Sequence, residues 1–125
     1  MKKYLLIGML FFSCATNAID YKAALNGKKL VMSNASCAGI SLKKDSGLSG
    51  EIGNTQSCKV DMPARLRWLN DNTFMLVEKN QTNEKSPPRV FLYQVKKIQG
   101  NKVVLSEIWT GWNNLPDDET TYTIQ

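Results

Sequence analysis

The chain has 125 residues, 16 of them Lys or Arg against 11 Asp or Glu, and it contains no histidine. A Ser-His-Asp triad, a Cys-His dyad and a histidine-based metal site are therefore excluded within it. The excess of positive charge is mild and scattered, with pairs at Lys28-Lys29, Lys43-Lys44 and Lys96-Lys97, which argues against a nucleic-acid role.

The N-terminus has the three parts of a secretory signal peptide. Lys2 and Lys3 form a positive start, Tyr4 to Phe12 is an apolar run broken only by Gly8, and Ala15-Thr16-Asn17-Ala18 offers small residues for cleavage. That run is shorter than the about 20 apolar residues a membrane-spanning helix needs. The expectation is a signal at residues 1–18, one domain over 19–125, and a protein that works in the periplasm or is secreted. An alternative stays open at Cys14, because Phe11-Phe12-Ser13-Cys14 has the outline of a lipidation box, with Phe11 where leucine is usual. Only that lipidation would attach the protein to a membrane.

Cys37 and Cys58 are the cysteines left after the signal. In an oxidising compartment such a pair in a small domain is expected to form a disulfide. Closing that loop stabilises by roughly 3 kcal/mol on chain-entropy grounds.

Beyond the signal, Asp20 to Asn26 reads as a turn or two of helix closed by Gly27. The periodicity then becomes that of strands. Lys28–Asn34 is a first strand, and Ala38–Lys44 a second, with Ile40 and Leu42 alternating against Ser41 and Lys43. Asp45–Thr55 is a Gly- and Ser-rich loop holding a short edge strand near Leu48–Ile52. Lys59–Asn70 alternates around Pro63, which cannot donate to a ladder and so marks an edge, a bulge or two short strands. Asn70-Asp71-Asn72 is a turn, Thr73–Lys79 a strand, and Asn80–Pro88 a long polar loop of the kind that often carries function. Arg89–Ile98 and Lys102–Thr110 form a hairpin at Gly100-Asn101, and Thr120–Ile124 is the last strand. Seven or eight short strands in sequential hairpins predict an all-β fold, a single antiparallel meander closing into a small barrel with a short N-terminal helix.

This order of features resembles the lipocalin-like (calycin-type) group of small barrels. The helix followed by Leu25-Asn26-Gly27-Lys28-Lys29-Leu30 is similar to the Gly-x-Trp start of the family's first strand, and the hairpins continue to Ile124. Leu30, three residues after Gly27, stands near the place of the family's tryptophan, which this chain lacks. The resemblance implies the fold and no particular ligand, because this architecture hosts many functions.

Two constellations carry chemistry. Glu78 and Glu107 lie inside expected strands, where acids are uncommon. With a three-residue loop in the hairpin, Glu107 points inward opposite Tyr93; with a two-residue turn it pairs with Gln94 on a more polar face. An inward Glu107 is either a binding carboxylate, half of a glycosidase-like pair, or a buried acid satisfied by Arg65 or Arg67. The second constellation is Trp109-Thr110-Gly111-Trp112-Asn113-Asn114, followed by Asp117-Asp118-Glu119. Tryptophans on a loop bury a large area at little entropic cost and so anchor partners. The plainer alternative is that Trp109 plugs the barrel and Trp112 folds over it as a lid.

These readings lead to a non-enzymatic binding module with no catalytic residues, no metal and no cofactor. Its expected site is Trp109, Trp112, Asn113, Asp117, Tyr93 and Glu107, and its partner is a small apolar ligand or another envelope protein. A monomer is expected. The alternatives are an inhibitor or immunity protein against a lysozyme-like or toxin enzyme and, further off, a carboxylate-only glycan hydrolase.

Overall fold

The computed structural model describes residues 20–50, 59–80 and 85–125. The signal and Cys14 therefore lie outside the described residues, as do Cys58 and the tip of the loop before Pro87. Within them the chain is an eight-stranded antiparallel barrel with one short helix, as the periodicity predicts. The helix α1 is Tyr21–Leu25, and the strands are β1 Lys29–Met32, β2 Gly39–Ser41, β3 Gly47–Ser49, β4 Met62–Asn70, β5 Thr73–Glu78, β6 Val90–Gln99, β7 Lys102–Glu107 and β8 Asp118–Ile124. Each strand pairs with the next, and β1 pairs with β8 through Leu30↔Ile124 and Met32↔Tyr122, which closes the ring.

Alternation along the strands fills the inside. Leu30, Ile40, Ala64, Phe74, Leu76, Tyr93, Val95, Val103, Leu105 and Tyr122 form one buried cluster, with Leu48, Leu66, Trp68, Phe91 and Ile124 packed against it. Every strand contributes. Leu25, Leu30, Phe74, Leu76 and Val103 have 0% of their surface accessible. A water-sized void beside them would leave accessible surface on its lining, so the centre is a packed core. Phe74 anchors it, with its ring centroid 5.0 Å from Trp68 and 5.2 Å from Tyr93.

Three details depart from the expected pattern. Pro63 neither breaks β4 nor splits it. It sits one residue into a single strand opposite Gly47, where β3 is only three residues long and asks little of its ladder. β7 ends at Glu107 and β8 begins at Asp118, so the chain between them is longer than the pattern indicates. The hairpin of β6 and β7 combines both expected geometries. Gly100, at φ +59°, and Asn101 form a two-residue turn between Gln99 and Lys102, yet a bulge between Val95 and Lys97 adds one residue to β6. Beyond that bulge Tyr93 faces Glu107 and Gln94 faces Ser106, so Glu107 turns inward.

Candidate functional site

The two ends of the barrel differ. At one end α1 is a plug: the Asp20 carboxylate accepts from the Ala23 N–H at 3.1 Å, and Leu25 is wholly buried. The Lys22 N–H reaches the Asp71 carbonyl at 3.0 Å and the Gly27 N–H the Leu42 carbonyl at 2.9 Å, tying the plug to the surrounding turns. The opposite end carries the longer connections, including residues 79–89 and 108–117. This is the end to which β6, β7 and the β7–β8 loop bring all six expected site residues.

Residues 108–117 hold their own shape. The Ile108 N–H donates to the Leu92 carbonyl at 2.8 Å, continuing the β6 ladder into the loop. The Trp109 N–H donates to Asp117 Oδ1 at 2.8 Å across the base of the loop, and the indole Nε1–H of Trp109 donates to the Asn113 carbonyl. The indole lies directly over Gly111, where a Cβ would stand 2.2 Å from Trp109 Cζ2. Any side chain here would push the indole aside. Trp109 therefore packs within its own loop, half exposed, and does not plug the barrel. Trp112 is no lid: at 102% relative exposure it stands clear of the rest of the molecule, with Leu115 also exposed nearby. Asn113 and Asp117 serve the loop's internal hydrogen bonds, Asn113 through its main chain and Asp117 through its side chain.

Below this loop, just inside the rim, Glu107 is the cross-strand neighbour of both Tyr93 and Asp118. Burial, with the Asp118 charge adding to it, raises the Glu107 carboxyl above its ordinary value. Burial next to Glu107 and Tyr122 pushes the Tyr93 hydroxyl far up, and burial next to Glu107 and Asp118 pushes that of Tyr122 up to about 12. Both tyrosines are therefore neutral hydroxyls at any physiological pH. Tyr93 and Glu107 thus form an inner acid–hydroxyl cluster, whereas Trp112 projects outward. The expected residues divide between these two places and do not converge on one pocket.

Among the described residues neither Arg65 nor Arg67 forms an ion pair with an acid. The arginine that does so is Arg89, and its partner is Glu78. Its N–H, Nε and Nη2 reach the Glu78 carboxylate at 3.2, 3.1 and 2.6 Å. Glu78 is 8% exposed, and these hydrogen bonds hold its carboxyl below the usual range. The pair staples the two ends of the long polar loop together. The pair depends on the β5–β6 register, with Val77 opposite Val90, which the residues on either side of a long loop do not give by themselves.

Cys37 is buried, and its carbonyl accepts from the Ser49 hydroxyl at 2.9 Å. Compared with protein-family models, with curated proteins and with solved structures, the chain matches none.

Proposed function

We propose that this chain is an exported, lipocalin-like binding module that grips a protein partner with the loop 108–117, Trp112 being the anchor. The observation that carries the reading is a fully exposed tryptophan on a loop whose shape is already fixed by Trp109, Gly111 and Asp117. A backbone held in this way loses little freedom when the Trp112 indole it carries is buried, which lowers the cost of using it as an anchor. The filled interior favours a protein partner over a small apolar ligand, since a ligand site within the barrel needs an apolar cavity. Export and a Cys37–Cys58 bridge belong to the same reading. A tryptophan loop on a stapled scaffold suits work outside the cytoplasm.

A second reading, as an inhibitor or immunity protein, draws on the exposed run Asp117-Asp118-Glu119 beside Trp112. An apolar anchor with an acidic flank suits a basic enzyme with a cleft. The hydrolase alternative needs two inward carboxyls, and Asp118, the cross-strand neighbour of Glu107, lies instead at the exposed rim.

Both binding readings are tested by Trp112→Ala in the exported protein, measured by surface plasmon resonance against periplasmic proteins and a basic lysozyme. The expected result is a loss of about 2 kcal/mol, or roughly 30-fold, in affinity with an unchanged melting temperature. Inhibition of the lysozyme would select the second reading. Unchanged affinity for every identified partner would refute the placement of the site.

A further inference from the structure

Lysines from distant parts of the sequence converge on the outer wall of the barrel. A concavity of about 530 Å³ is lined by Lys29, Lys43, Lys59 and Lys79, with Asp45 the one acid in its described lining. A neighbouring depression shares Lys43, Ser46 and Lys79 with it and adds Lys44 and Arg65. The backbone accounts for the convergence. The Ala64 N–H donates to the Ser46 carbonyl and the Lys79 N–H to the Pro63 carbonyl, both at 2.9 Å. These bonds draw the β2–β3 connection, the start of β4 and the end of β5 into one patch.

Gathering like charges in a hollow is unfavourable unless something compensates it. Among the described residues no carboxylate pairs with Lys43, Lys59 or Lys79, and all three are exposed. The acids Glu107, Asp117, Asp118 and Glu119 lie elsewhere, on β7, β8 and their connection. The volume is that of a small-ligand site, and the two lobes joined through Lys43 and Lys79 fit separated anionic groups better than a single ion. Ammonium groups of this kind bind phosphate as point charges.

We infer that this groove binds a small molecule or headgroup carrying two or more phosphate groups, independently of the Trp112 loop. The test is calorimetric titration of the exported protein with tripolyphosphate and with inorganic phosphate. Co-sedimentation with phosphatidylcholine vesicles containing a bisphosphorylated lipid runs alongside. Tripolyphosphate is expected to bind more tightly than phosphate, and less tightly as salt rises. The double variant Lys43→Gln/Lys79→Gln is expected to lose about tenfold in affinity. Lys96→Gln/Lys97→Gln, which removes the same charge from β6, keeps the wild-type affinity. Lys43→Arg/Lys79→Arg retains binding, which separates lost charge from lost fold. Binding to the soluble probe alone assigns a free oligophosphate, and capture by the vesicles alone assigns a headgroup. Binding to neither probe, or equal loss in the two glutamine variants, would overturn the inference.

Discussion

Leu76 decides whether function lies inside the barrel or on it. Its side chain has no accessible surface, and it faces Leu66 on β4 and Phe91 on β6. Leu76→Ala removes apolar atoms from a filled interior, and neighbours held by strand pairing on both sides cannot collapse fully into the space. The expected cost is about 3 kcal/mol, within the range seen for fully buried leucines. In a domain of this size that lowers the melting temperature by about 12–24 °C. Urea unfolding and thermal circular dichroism measure both quantities, and Leu105→Ala repeats the test on β7. Leu69→Ala is the control, since Leu69 is half exposed and its loss should change stability by less than about 0.5 kcal/mol. A small apolar probe should enter the Leu76→Ala cavity and not the wild-type protein. A cost under about 1 kcal/mol at both leucines, or uptake of the probe by the wild type, would mean that the interior has room. The reasoning that moves the site to the loops would then be refuted.

Other substitutions read the rim. Because Glu107 is raised above its ordinary value of 4.5, the folded state holds its proton more tightly than the unfolded chain does, and stability is lost as pH rises from 4.5 through the folded value. Glu107→Gln should therefore be the more stable protein near neutrality and equal to the wild type below 4.5; urea midpoints across that range check the sign. Glu78 behaves oppositely. Its lowered pKa gives stability that is present above 4.5 and lost as pH falls through the folded value, so Glu78→Gln should flatten the acid limb of the stability profile. Gly111→Ala puts a methyl group into the Trp109 indole, and should weaken partner binding as Trp112→Ala does while costing the barrel less than about 1 kcal/mol.

What could be read from the residues alone was whatever depends on neighbours in the chain. The turn signal Gly100-Asn101 and the run Arg89–Ile98 are local, and each names its element within a residue; the alternation of Ile40 and Leu42 finds β2 but carries it three residues too far, past Ser41. The bulge before Lys97 has no such signature. It occurs in an ordinary stretch, Gln94-Val95-Lys96-Lys97, and only the need to keep Tyr93 and Val95 inside reveals it. Trp109 was misplaced for a related reason. Its partners Gly111, Asn113 and Asp117 are close in sequence, but the geometry that joins them is set by where β7 stops. The lysine groove was invisible because Lys29, Lys43, Lys59 and Lys79 lie on separate segments and meet only through the ladder.

The seam between β1 and β8 bears on the order in which the molecule can form. It joins positions at the two ends of the domain: the Ser33 hydroxyl and the Thr121 carbonyl, bonded at 3.0 Å, are 88 residues apart. A pairing of that span carries the largest loop-closure cost in the fold, whereas the successive hairpins form between neighbours. Until Asp118–Ile124 is in place, β1 and β7 are both open edges able to recruit another chain. The last seven-residue strand is thus the clasp of the molecule, and a chain shortened before it would be a ribbon prone to stack with its own copies.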